Sequence, residues 1–212
     1  MMYDAFPNRR QALTRMALTG TTVAGLWVCA PAQAQVTSLN DAINKAGRQR
    51  MLSQRMAKAW LAIGQDVEAT KSGRILAESM ATFDRQLIEL RAYAPQPAIR
   101  STYQQLDALW SDYKMALVGT PPKRENASAL LALDAKVLQL AHQGTGQLEK
   151  LSGKPAARLV NLAGRQRMLS QRSAKCYLSL TWSDSDTTQQ RELDTAKREF
   201  MEALNTLEDA PQ

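Results

Sequence analysis

The sequence predicts an all-α protein, an antiparallel helical bundle of four-helix-bundle type that contains two copies of a helix–turn–helix repeat. Three observations point there. Apolar residues recur at steps of three and four along most of the chain, as one buried helix face requires. Alternating apolar and polar runs, the mark of a half-buried strand, never extend beyond a few positions. Composition agrees: 44% of the 212 residues are hydrophobic but only 6% are aromatic, and Ala, Leu, Gln, Arg and Lys, all good helix formers, are plentiful. With 10 Gly, 8 Pro and 2 Cys, collagen-like, low-complexity and disulfide-scaffold classes are excluded.

Residues 1–34 have the plan of an export signal. Asn8-Arg9-Arg10-Gln11-Ala12-Leu13 opens it, an apolar stretch runs from Met16 to Cys29, and Ala32-Gln33-Ala34 is a small-residue cleavage site. Two arginines before Ala12-Leu13 resemble a twin-arginine signal, and an ordinary secretory signal can also carry such a pair, so both routes stay open. Leu26-Trp27-Val28 before Cys29 argues against lipid attachment there, which leaves Cys176 as the lone cysteine of the remainder. Residues 35–212 are expected to form a single helical domain. No segment after the signal approaches the roughly 18 uninterrupted apolar residues of a membrane span, so the expected product is soluble and periplasmic.

Each element has its own signal. Residues 44–60 form the first helix, with Leu52, Met56, Ala59 and Ile63 as its core stripe. Ser72-Gly73 reads as the first turn. Leu76, Met80, Phe83, Leu87 and Leu90 make the next helix face, up to the break at Pro95 and Pro97. Ile99, Tyr103, Leu106, Trp110, Tyr113 and Leu117 follow, then a break from Gly119 to Pro122. Leu130, Leu133, Val137 and Leu140 mark a fourth helix. Pro155 either starts the next helix or kinks a long one. Ser183 to Asp186 reads as a turn, and Thr187 with Gln190 resembles a capping box at the start of the last helix.

One phrase is written twice. Asn44–Trp60 reads NKAGRQRMLSQRMAKAW and Asn161–Tyr177 reads NLAGRQRMLSQRSAKCY, identical at 13 of 17 positions and at 10 in succession. The offset of 117 persists without a gap: Leu61 matches Leu178, Arg74 matches Arg191, Phe83 matches Phe200, Leu87 matches Leu204 and Leu90 matches Leu207. Residues 44–90 and 161–207 are therefore two copies of one unit.

On a helix, Gly47, Arg50, Gln54 and Lys58 fall on a face separate from the core stripe, beside Ala46 and Ala57. Arg48 and Arg55 flank the stripe, where their stems can pack and their heads reach out. A glycine inside a helix costs about 1 kcal/mol relative to alanine, so Gly47 and Gly164 call for close approach of a backbone or a ligand. The charge is one-sided too, with five Lys/Arg and no acid in the first copy, four and none in the second. Such a cluster needs carboxylates from another helix, solvent counter-ions or a bound anion. Arg50 and Arg167, with Arg55 and Arg172, are the guanidinium candidates, suited to a small planar oxyanion through paired hydrogen bonds. Gln54 and Gln171, with Ser53, could add neutral donors. A solvated basic face against tight Gly–Ala helix packing is the alternative.

The phrase AGRQRMLSQR, placed in a helix behind an export signal, resembles the N-terminal sensor domain of PilJ-type chemotaxis transducers. More loosely, it is similar to the periplasmic domains of the NarX/NarQ nitrate and nitrite sensor kinases. The resemblance implies a four-helix-bundle sensor in which a glycine and the arginine three residues later contact nitrate at a helix–helix interface between subunits. Those positions are Gly47 and Arg50 in the first copy, Gly164 and Arg167 in the second, with Arg55 and Arg172 matching a further family arginine of less direct role. Unlike the sensor kinases and transducers, the sequence shows no kinase or signalling coiled coil, so the signal is expected to pass to a separate membrane receptor, kinase or transducer, or through a self-dimer.

Other chemistry is sparse. His142, the single histidine, lies in a polar stretch and reads as a surface residue. With one histidine and no acids at ligand spacing, no metal site, cofactor or catalytic triad is expected, and an enzyme is not. The chain is basic, 27 Lys+Arg against 20 Asp+Glu, and removing Arg9, Arg10, Arg15 and Asp4 still leaves 24 against 19. That balance permits the competing function, an interaction module docking an acidic protein or an anionic membrane surface. Nucleic acid is not expected as a partner, given the export signal and the lack of interleaved aromatics.

Overall fold

The computed structural model describes residues 35–182 and 187–209. The export-signal features of residues 1–34 and the Ser183–Asp186 turn lie outside them. Helix α1, Leu39–Gly64, starts where Ser38 in extended backbone accepts a hydrogen bond from the Asp41 amide, an N-cap worth about 1 kcal/mol. It ends in a turn in which Asp66 (φ 56°) and Glu68 (φ 44°) adopt left-handed backbone, while the Gln65 and Val67 amides donate to the carbonyls of Leu61 and Ala62.

The first turn is therefore not at Ser72-Gly73, as the sequence reading had it. Those two residues lie inside α2, Ala69–Tyr93, and the Ser72 hydroxyl donates to the Val67 carbonyl. The polar Gln65–Glu68 stretch turns the chain without a glycine, and the helix absorbs the propensity cost of Gly73.

Proline sets the next starts. It opens α3, Pro97–Gly119, in the first turn, where the missing N–H is no loss. Helix α4, Arg124–Ser152, stops at Gly153, whose φ of 59° is the left-handed C-terminal conformation glycine supplies. Pro155 then begins α5, Pro155–Leu180, so it starts a helix rather than kinking one. Helix α6 spans Thr187–Glu208, and Gln190 in it donates to Asp194.

The two repeats become two equivalent hairpins, α1–α2 and α5–α6. Gln49 donates to the Phe83 carbonyl at 3.1 Å, and its counterpart Gln166 donates to Phe200 at 2.8 Å. Helices α1 and α5 lie side by side and run in the same direction. Gly47 meets Gly164 near their starts; at their ends Gln65 donates to the Leu178 carbonyl and Trp60 meets Trp182 edge to face. The hairpins are thus related by a pseudo-two-fold axis running along the α1–α5 pair. The α3–α4 hairpin breaks this symmetry by lying over α1.

Burial follows from that placement. The main core joins Ile43, Met56 and Leu61 of α1 to Phe83 and Leu87 of α2, Tyr103, Trp110 and Tyr113 of α3, and Leu130, Val137 and Leu148 of α4. Trp110 lies 4.3 Å from Phe83 between ring centroids and donates to Asp84. Met168, Leu169 and Ala196 form a smaller cluster between α5 and α6. Among the described residues no helix is long and apolar enough to cross a membrane.

Candidate functional site

Enclosure of α1 by α2, α4 and α5 puts part of its basic phrase inside the protein. Arg50 is 0% exposed, as are Gln49, Ser53 and Gln54. Its guanidinium spans the α1–α5 crossing: Nη2 donates to the Asn161 side chain at 2.6 Å and to the Asn161 carbonyl at 3.2 Å, while Nη1 lies 3.3 Å from His142 Nδ1. Arg167, on the exposed side of α5, makes the mirror contact and donates to Asn44 at 3.0 Å. Each arginine therefore binds the asparagine that opens the other copy. Asn161 donates in turn to Glu149 of α4.

Neither Arg50 nor Arg167 has a carboxylate within ion-pair distance among the described residues. Other cations of the second copy do: Arg165 pairs with Glu199 at 3.1 Å, Arg172 with Glu192 at 3.5 Å and Lys175 with Asp134 at 2.8 Å. Burial, with the nearby charges of Arg165 and Arg167, lowers the Arg50 pKa to about 10. The group remains a cation at neutral pH. Its Nε is buried with no hydrogen-bond partner among the described residues, as is Nε of Arg172.

The glycines let the two helix backbones approach closely beside these groups, a Cβ on Gly164 standing 3.6 Å from the Gly47 Cα. A Cβ on Gly164 would stand 3.5 Å from Arg50 Nη2 and 3.8 Å from Arg167 Nη2, and one on Gly47 would stand 3.4 Å from Arg50 Nη2. The two guanidinium groups thus converge on the side-chain-free flank of the crossing. Gly47, Arg50, Gly164 and Arg167 are brought together within one chain.

The remaining candidates are placed differently. The Gln54 amide is committed to Asp134 at 2.8 Å, and the Ser53 hydroxyl to the Arg50 carbonyl at 2.9 Å, so neither turns to Arg50 as a neutral donor. Among the described residues, Gln171 is half-buried with an unpartnered Oε1, Arg172 holds Glu192, and Arg55 has no carboxylate partner.

Four functional neighbours escaped the sequence reading. His142 is exposed, as its surface reading expects, and its contact with Arg50, from which it accepts, is what the sequence did not show; partial burial and the charges of Arg50 and Arg165 lower its pKa. Neutral imidazole with a bare Nδ1 is the form that suits this contact. It lines a cavity of about 260 Å³ between α4, α5 and α6, together with Arg165, Met168, Arg172, Lys175 and Glu192. Asp134, 0% exposed, bridges Gln54 of α1 and Lys175 of α5 and accepts from Tyr113. Asn44 and Asn161 carried one legible signal, their identity at the first position of each copy.

No cluster of three or more potential metal ligands occurs among the described residues. A family model described as the type IV pili methyl-accepting chemotaxis transducer N-terminal domain, PilJ, matches residues 32–141 and 152–212. No curated protein and no solved structure matches the chain.

Proposed function

The chain belongs to the PilJ family, and from that premise we propose that it is an exported sensor module that binds a small oxyanion of the nitrate or nitrite type and signals to a separate partner. Family membership makes it a sensory module of the chemotaxis-transducer kind. The observation that supports the ligand is the convergence of Arg50 and Arg167, neither with a carboxylate within ion-pair distance among the described residues, beside the Gly47–Gly164 contact. A buried cation without a counter-charge is costly, and a planar oxyanion satisfies guanidinium donors in pairs. Periplasmic placement belongs to the same reading and rests on the export pattern of residues 1–34.

In this reading Gly47 and Gly164 keep the pocket free of side chains, while Arg50 and Arg167 supply the donors. Gln54, Arg55, Gln171 and Arg172, one to two turns further along the same helices, complete the proposed set, with Arg55 and Arg172 adding positive potential. Bound charge would relieve the repulsion between Arg50 and Arg167 and shift α1 against α5, a change a partner can read.

Thermal melts at fixed ionic strength with nitrate, nitrite, sulfate or chloride test it. Ligand at one hundred times its Kd stabilises by about 2.7 kcal/mol through mass action. The expected result is a saturable rise in Tm with one oxyanion, lost in Arg50→Ala and Arg167→Ala. Equal responses to all four anions would sink the proposal and favour the docking module.

A further inference from the structure

Pseudo-symmetry gives the α1–α5 pair two grooves, and the described residues fill only one of them. On the filled side, where α4 packs against α1, Ala46, Arg50, Ser53, Ala57 and Trp60 of α1 are each 1% exposed or less. Their counterparts on α5 are Ala163, Arg167, Ser170, Ala174 and Tyr177, the same residue types except one aromatic for another. All five are exposed, Tyr177 to 63%. A helix face built for water would carry long charged residues rather than alanines and a bare aromatic ring.

A second, independent observation concerns charge. In the filled groove Asp134 of α4 is held at 2.8 Å by both Gln54 of α1 and Lys175 of α5. The symmetric pair across the open groove is Gln171 of α5 and Lys58 of α1. The Gln171 amide nitrogen, counterpart of the Gln54 nitrogen that donates to Asp134, makes no hydrogen bond among the described residues, and Lys58, half-buried beside Arg55, has no carboxylate within ion-pair distance among them. The socket that grips a carboxylate in one groove is thus repeated without one in the other.

We propose that the open α1–α5 groove, lined by Lys58, Arg167, Ser170, Gln171, Ala174 and Tyr177, docks an α-helix of a partner protein that presents a carboxylate to Lys58 and Gln171, as α4 presents Asp134 to their counterparts. A second copy docking by this same face would set Arg167 and Lys58 against their own like charges, so charge complementarity selects an acidic helix. The inference deepens the reading that the signal passes to a separate partner, and it stands whether or not the crossing binds an anion.

The probe is a fluorescently labelled peptide of residues 124–152, the chain's own covering helix, titrated against the full chain by anisotropy. Saturable one-to-one binding is expected. It should weaken at least tenfold with the Asp134→Asn peptide and with the Lys58→Ala chain, and vanish with Ala174→Glu at unchanged circular dichroism and Tm. No saturable binding to the wild type would overturn the proposal. So would undiminished binding by the Asp134→Asn peptide or to Ala174→Glu, which would place the peptide in the α1 groove. A wild-type dimer that Ala174→Glu dissolves would overturn it in favour of a second copy. Failure in the anion melts alone leaves this binding unchanged, so the two readings fail separately.

Discussion

Arg50 shows what one residue can disclose about a site. Among the described residues, this guanidinium, with no exposed surface and no carboxylate within ion-pair distance, is held by Asn161 and His142. Replacing a buried charge by an apolar side chain of similar reach is often neutral or stabilising, although the freed Asn161 and His142 acceptors cost about 1–3 kcal/mol. Arg50→Met is therefore expected to lose no more than about 1 kcal/mol in urea unfolding while its Tm stops responding to the anion. A loss of several kcal/mol would make Arg50 a structural keystone instead. His142 adds a pH dependence. Its folded pKa lies below the ordinary 6.5, so below that value the unfolded chain binds the proton more readily and the folded state loses stability as pH falls. Melts at pH 7.5 and 5.5 should show a larger acid loss in the wild type than in His142→Asn, moderated by the exposed edge of the ring.

Between elements, Asp134 ties α4 to α1 and α5 at once. Burial alone would depress the Lys175 ammonium, but the Asp134 carboxylate outweighs it and holds the pKa above its ordinary value. Asp134→Ala strands that charge and is expected to cost about 3–5 kcal/mol, most of it recovered by Asp134→Leu with Lys175→Met. Chemical denaturation of the two variants checks this. Glycines at the helix contacts differ in kind. A Cβ on Gly64 would stand 2.3 Å from the Pro122 carbonyl and 2.4 Å from the Trp182 ring, so Gly64→Ala should lose about 1–3 kcal/mol. A Cβ on Gly47 meets nothing nearer than 3.4 Å. Gly47→Ala should keep or slightly raise stability, by up to about 1 kcal/mol of helix propensity, yet blunt the anion response because its methyl occupies the proposed pocket. The same variant melts with and without nitrate separate the two effects.

Across the whole molecule stability is unevenly distributed. Residues Ala34–Gln212 cluster as one unit, but the main core centres on α1, whereas α5 and α6 share the smaller cluster around Met168, Leu169 and Ala196. Local opening should follow that division. Amides of α6 are expected to exchange hydrogen through a sub-global opening, and those of α1 only on global unfolding. Cys176, buried and with its thiol pushed by that burial up to about 11, offers a second probe. Its labelling should proceed at the rate of α5–α6 opening, and labelling at the rate of an exposed thiol would contradict the division.

Helix faces, the repeat and its 117-residue offset were legible in the sequence because each rests on local periodicity or plain identity. So were the one-sided charge and the four residues of the crossing, since a mid-helix glycine followed by arginine is a local oddity that requires a cause. The Gln65–Glu68 turn was not, because its left-handed residues are not glycines and Ser72-Gly73 offered a louder signal. Nor were His142, Asp134 or the fate of Gln54 and Ser53, since each acquires its role from a residue dozens of positions away. Only tertiary structure decided that the two copies pair with each other and that α3–α4 covers one of them. That asymmetry buries Arg50 and bares Arg167, identical residues in nearly identical phrases. A local sequence specifies a helix face, but the burial and electrostatics of that face belong to whatever the rest of the chain lays upon it.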